Sequence, residues 1–118
     1  MYQFPYADIL SDDMSEARRN ERAAFDEAVH RLQAARLRGP ESREAIEALY
    51  YLDRFWKVLL DDLAHPGNGL PDELKASLIS IGIWVLKETE ALRDGRTHSF
   101  DGLIEINEII RDGLRAAA

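Results

Sequence analysis

The sequence contains no cysteine among its 118 residues. Disulfide bonds and thiolate-ligated zinc sites are therefore excluded, and a reducing compartment suits the chain. It also lacks an uninterrupted apolar run of about 18 residues, so we expect no membrane insertion. Residues 1–10 have neither a basic start nor a long apolar core, so we expect no secretory signal.

Positive charge is scarce as well. Lys and Arg number 15 against 22 Asp and Glu, which gives a formal net charge of −7. Proteins that grip a phosphate backbone do so with clustered cations, so no direct nucleic-acid binding is expected. Arg18, Arg19 and Arg22 do lie close together, but acidic residues are interleaved with them. This mixture is typical of a solvated, salt-bridged helix face.

The 7 Gly and 4 Pro residues divide the chain into helical segments, with no strand-like alternation between them. Gly39 and Gly95 suit helix ends, and Pro40 and Pro71 suit first helical turns. Because the connections are short, neighbouring helices should be antiparallel, which predicts an all-α fold, a four-helix antiparallel bundle. We predict a single domain over residues 1–118, with an extended aromatic N-terminal segment at 1–11 and helices at 13–38, 40–64, 71–94 and 99–115.

The second and third predicted helices carry more apolar residues than one buried face requires. Such a surplus is either a surface that a partner covers or a surface that the apolar N-terminal segment folds back to cover. In the second helix an aromatic stripe lies beside the main apolar stripe, and in the third helix a tryptophan points away from both stripes. The candidate partner-binding residues are Tyr2, Phe4, Tyr6, Tyr51, Phe55, Val58 and Trp84.

Gly82 interrupts the most apolar stretch of the chain, residues 77–90. One interpretation is that the missing side chain lets a neighbouring helix backbone come close. The other is that the glycine is merely tolerated, at a cost of about 1 kcal/mol relative to alanine. The sequence alone leaves both interpretations open.

Patterns that would carry catalysis or bind a metal are weak. Glu27 and His30 have the Glu-x-x-His spacing of iron-binding bundles, but such sites need a second pair and two more inward carboxylates. His30 is also predicted to face solvent. Neighbouring His98 and Ser99 cannot supply the separate members of a catalytic triad. We therefore expect no enzymatic activity, no cofactor and no metal.

Four blocks of sequence, in order, resemble the FlaF family of flagellar biosynthesis regulators from alphaproteobacteria. They are MYQFPYADIL (1–10), SREAIEALYYLDRFWKVLLDDL (42–63), LPDELKASLISIGIWVLKETEALRDG (70–95) and FDGLIEINEIIRDGL (100–114). The resemblance implies a cytoplasmic, non-enzymatic, flagellin-binding export chaperone that couples flagellin synthesis to secretion, and a link to the translational regulator FlbT. An amphipathic terminal helix of flagellin would then lie in a groove of the bundle. An alternative is a post-transcriptional regulator that contacts flagellin mRNA directly or within a ribonucleoprotein complex.

Overall fold

Four α-helices follow one another in the computed structural model, whose backbone is described for residues 14–117 and whose side chains are described for residues 20–114. They are α1 (Met14–Arg38), α2 (Arg43–Ala64), α3 (Asp72–Arg93) and α4 (Asp101–Ala117). Within this part of the chain there is no strand. The all-α prediction is therefore confirmed, and the predicted N-terminal segment at 1–11 lies outside the described residues.

The connection between α1 and α2 depends on a glycine and a serine. Gly39 has a positive φ of 106°, a backbone conformation that side chains disfavour, and α1 ends directly before it. α2 begins at Arg43 rather than at the expected Pro40, because Ser42 is its N-cap. The Ser42 hydroxyl accepts a hydrogen bond from the backbone N–H of Ala45 at 3.1 Å. Pro40 thus lies in the turn and not in the helix.

Cross-helix contacts establish the antiparallel arrangement. An ion pair joins Arg36 near the end of α1 to Asp101 at the start of α4 at 3.1 Å, and another joins Asp26 to Arg111 at 3.0 Å. Between α1 and α2, Phe25 contacts Phe55, whereas Arg31, six residues later, lies over Tyr51, so these two helices are antiparallel as well. The largest fully buried apolar side chains come from α1, α2, α4 and the residue before α4: Trp56, Phe100, Leu32, Leu52 and Leu103.

One of the four seams of this bundle is not closed. α1 packs against both α2 and α4, and α2 packs against α3, but α3 and α4 make no comparable contact. A buried hydrogen bond fixes α4 behind this seam: the indole N–H of Trp56 donates to the Oδ1 of Asn107 at 3.1 Å. Asn107 in turn donates through its Nδ2 to the carbonyl of Leu103 at 2.8 Å. The seam therefore stays open while the helices around it are held in register.

Gly82 lies where α3 crosses α2 closely. A Cβ at this position would stand 2.7 Å from the Cδ2 of Leu60 and 3.0 Å from the Cε3 of Trp56. The close-approach interpretation of Gly82 is therefore the correct one, with the detail that side chains of α2, and not its backbone, fill the space. None of the helices described here is long and apolar enough to cross a bilayer.

Candidate partner-binding site

Two neighbouring apolar pockets lie along the open seam between α3 and α4, and we call them together the seam cleft. Its walls are antiparallel, so the first residues of α3 face the last turns of α4. Leu74 and Trp84 lie ten positions apart along one wall, which corresponds to about 15 Å of helix. The residues that line the two walls are Leu74, Leu78, Ser80, Ile81 and Trp84 of α3 and Gly102, Glu105, Ile106, Ile109, Ile110, Gly113 and Leu114 of α4.

The deeper part of the seam cleft reaches the core of the bundle. Its cavity of about 310 Å³ lies between the start of α3 and the end of α4, and its lining is mostly apolar. Phe25 of α1 and Trp56, Leu59 and Leu63 of α2 form its floor. An apolar cavity of about 150 Å³ is enough to hold one benzene molecule. The deep pocket therefore has room for about two large apolar side chains of a partner.

The other end of the seam cleft is shallower and more open, with a cavity of about 440 Å³. Its walls expose large apolar side chains, since Trp84 is 42% and Ile109 is 59% exposed. The Trp84 indole lies over Gly102, where an added Cβ would be 3.0 Å from the Cη2 atom. α3 and α4 are thus bridged at this end by one aromatic ring, and the deep pocket lies at the other end.

α4 supplies more apolar surface than its contact with α1 uses. Leu103 and Ile104 are buried, whereas Ile106 and Ile110 are half-buried and turn towards the seam cleft. The sequence pattern had indicated an ordinary one-sided helix, so the α4 residues of the cleft were not among the predicted site residues. The signal that could have found them is the width of this stripe, which extends through Ile109 to Gly113.

The aromatic stripe predicted as spare surface on α2 is largely used for packing. Phe55 is only 8% exposed and meets Phe25 edge to face, with ring centroids 4.8 Å apart. Tyr51 stacks on Phe55 and donates its hydroxyl hydrogen to the carbonyl of Ala24 at 2.9 Å. The expectation that α2 does not need this stripe for its own packing is therefore wrong, because α1 covers it.

A groove of about 670 Å³ does remain outside this stripe, between α1 and α2. Its aromatic rings already have cationic partners, since Arg31 lies 5.1 Å from the centroid of Tyr51 and Arg54 lies 5.6 Å from that of Tyr50. Val58, also predicted as a site residue, is half-buried at its edge. This groove is therefore more polar and offers less free apolar surface than the seam cleft.

Trp84 lies on exposed surface, as the sequence predicted, and the structure places it in the wall of the seam cleft. Tyr2, Phe4 and Tyr6 lie outside the described residues, so their predicted part in partner binding stays a prediction. Of the four predicted site residues that the structure describes, the seam cleft contains one, and α4 and the first half of α3 supply most of its walls.

Titratable side chains lie beside the groove between α1 and α2. Burial raises the pKa of the Tyr51 hydroxyl, the negative charge of Glu27 raises it further, and the positive charge of Arg31 opposes both. Glu27 pairs with Arg31 at 2.7 Å, and His30 is exposed on the solvent side of α1. Among residues with described side chains, no three His, Asp or Glu residues lie close enough to hold a metal ion.

Comparison with known proteins gives one match. Residues 2–114 match the family model of the flagellar protein FlaF, which confirms the resemblance seen in the four sequence blocks. No curated protein and no solved structure matches the chain. The family match and the open apolar seam are the two observations from which a function can be proposed.

Proposed function

Because the chain belongs to the FlaF family of flagellar proteins, we propose that it is a cytoplasmic, non-enzymatic chaperone that binds flagellin and couples its synthesis to its secretion. The observation that carries the proposal is the seam cleft, an apolar groove that the described helices leave uncovered. Contiguous apolar surface of this kind marks sites where a protein receives a partner.

A helix of flagellin suits such a groove. Helix-in-groove recognition places side chains at positions i, i+3, i+4 and i+7 of an amphipathic helix against an apolar surface. A flagellin subunit awaiting export would carry its terminal helices unassembled, with their apolar faces free to aggregate. Seating one of those faces against Trp84, Ile106 and Ile109 would remove apolar surface of both proteins from water, at about 25 cal/mol per Å².

The regulatory part of the proposal follows from charge. The net charge of −7 is unfavourable for direct contact with flagellin mRNA, whose phosphates repel acidic surfaces. We therefore propose that any effect on translation passes through bound flagellin or through contact with the regulator FlbT.

Co-expression with flagellin tests the function directly. The two proteins should elute together from a size-exclusion column at moderate salt, because an apolar interface is not screened by ions. Purified flagellin mRNA, mixed with the protein in the same buffer, should not change its elution. Separate elution of the two proteins, or a salt-sensitive complex with the mRNA, would contradict the proposal.

The same binding assay, applied to a deletion variant, tests the role of the N-terminal residues. Tyr2, Phe4 and Tyr6 are predicted to act either as a lid over the binding surface or as a clamp on the bound helix. Removal of the residues before Asp8 should tighten flagellin binding if they act as a lid, because a lid competes with the ligand. The same deletion should weaken binding if they act as a clamp.

A further inference from the structure

We propose that the seam cleft binds one amphipathic helix of about three turns, which places large apolar side chains in the deep pocket and presents a basic face to solvent. This inference rests on the proposed function, and it adds the surface and the chemistry of the partner segment. It also moves the site from the aromatic stripe of α2 to the seam between α3 and α4.

The length of the partner helix follows from the length of the cleft walls. From Leu74 to Trp84 the α3 wall spans about 15 Å, which matches about ten residues of a bound helix. Trp84 touches Gly102 at one end, so the walls are closest there and the bound helix is shallowest. The largest apolar side chains of the partner therefore belong at the opposite end, in the deep pocket beside Leu78 and Leu114.

The charge of the partner helix follows from the acidic residues at the rim of the seam cleft. Glu105 forms part of the α4 wall. On α3, Glu73 and Glu88 lie eleven residues before and four residues after Trp84, again on its face. Three acids thus flank the apolar floor, and Lys or Arg residues on the outer face of the bound helix would meet opposite charge.

The same rim argues against a second copy of this chain as the occupant. Two copies joined through this cleft would bring the acidic residues of both rims together, and like charges at an interface are unfavourable. Each copy also carries a net charge of −7. A basic amphipathic helix meets both the apolar and the acidic features of the cleft.

The chain carries a built-in reporter of cleft occupancy. Its 2 tryptophans are Trp56, in the floor of the deep pocket, and Trp84, in the wall of the shallow end. A bound helix should shift Trp84 emission to the blue and protect it from a soluble quencher. The probes are flagellin itself and a synthetic peptide of about 14 residues, with Leu on one helical face and Lys elsewhere. A matched peptide with Glu in place of Lys tests the charge.

Two variants separate loss of the site from loss of the fold. Gly113 lines the deep pocket within α4, and a Cβ there would meet no atom within 4 Å, so Gly113→Leu should fill the pocket without a clash. Leucine is also the better helix former, so the unfolding midpoint should stay level or rise. Ile109→Glu places a charge on the exposed wall, and Ile46→Glu is its control, since Ile46 is 66% exposed on α2 away from the cleft.

We expect Gly113→Leu and Ile109→Glu each to weaken binding of flagellin and of the Lys peptide by about tenfold or more, and Ile46→Glu to leave it unchanged. Flagellin binding that survives both cleft variants would overturn the cleft assignment and leave the proposed function intact. Cleft-dependent binding of the Lys peptide without any flagellin binding would support the cleft and overturn the proposed function.

The remaining outcomes concern the identity of the occupant. Equal affinity for the Lys and Glu peptides would overturn the basic-face inference, because the acidic rim would then contribute nothing. A dimer of the chain alone that dissociates on the Ile109→Glu substitution would show that a second copy fills the cleft, and would overturn the inference as well. A chain that is monomeric until the Lys peptide or flagellin is added is the expected result.

Discussion

At the scale of single residues, Gly82 is the position where α3 and α2 have least room. A leucine side chain there would collide with Trp56, which is buried and cannot move aside, and with Leu60. We expect Gly82→Leu to lower the free energy of unfolding by about 1–3 kcal/mol, the usual cost of overpacking. Urea denaturation measures this loss of stability. The control is Gly113→Ala, where the added Cβ meets no atom within 4 Å, and it should raise the free energy of unfolding by up to about 1 kcal/mol.

Asn107 is the second residue with a measurable structural role. Its Oδ1 is the acceptor for the buried indole N–H of Trp56. Asn107→Ala would leave that donor without its partner, so we expect a loss of about 1–3 kcal/mol in the free energy of unfolding. Asn20→Ala, at an exposed position on α1, is the control and should change stability little. A fully stable Asn107→Ala protein would mean that the hydrogen bond does not hold α4 in place.

Tyr51 predicts a pH dependence. Burial, aided by Glu27, raises the pKa of its hydroxyl above the ordinary value near 10. The folded state therefore favours the protonated phenol, and this contribution is complete below about pH 10 and is lost as the pH rises through the folded pKa. Denaturation at increasing alkaline pH should show a steeper loss of stability for the wild type than for Tyr51→Phe. Equal slopes would contradict this, and the exposed Tyr50→Phe provides the matched comparison.

At the scale of helices, the ends depend on single caps. Ser42 accepts a hydrogen bond from the N–H of Ala45 and donates one to the carbonyl of Gly39 at 2.7 Å. Ser42→Ala removes both, so we expect it to cost about 1 kcal/mol in chemical denaturation. Ser77→Ala, at an exposed position inside α3, should be neutral or slightly stabilising because alanine is the better helix former.

The helices themselves were largely predictable from the sequence, because their limits are local. Gly39 and Gly95 both adopt a positive φ at helix ends, as their residue type indicated. Pro40 was predicted in the first turn of α2, but it lies in the turn that precedes this helix. A proline also fits a turn, and Ser42 is the stronger helix cap. Periodicity identified the apolar faces of each helix. The partner of each face could not be predicted, because it depends on which helices pack together.

The candidate site shows this limit most clearly. On a helical wheel of α2 alone, Phe55 lies outside the main apolar stripe, and it is buried in the structure because α1 packs on it, with Phe25 in direct contact. Conversely, Ile109 belongs to an ordinary apolar stripe in sequence, and it is exposed because α3 does not close the seam. The exposure of Trp84 could be predicted because this residue lies outside both apolar stripes of its own helix, which the local sequence pattern shows.

At the scale of the whole molecule, the open seam and the net charge of −7 act together. An exposed apolar cleft favours self-association, whereas a large net charge of one sign opposes it. The acidic rim thus keeps free molecules apart while it attracts a basic partner. High salt screens the repulsion between copies of the chain. It should therefore promote association of free molecules more than it weakens a complex that apolar contacts hold together.

Binding through the cleft should also stabilise the whole bundle. A ligand that binds only the folded protein raises its free energy of unfolding by about 2.7 kcal/mol at a concentration of 100 times Kd. Thermal unfolding of the wild type should therefore shift upwards as the Lys peptide or flagellin is added. Gly113→Leu should begin from an equal or higher midpoint, because its pocket is filled by its own side chain. At the same ligand concentration it should then gain at most about half as much, since a tenfold weaker Kd leaves about 1.4 kcal/mol. A ligand-dependent rise as large as that of the wild type would show that the stabilising contact lies elsewhere on the molecule.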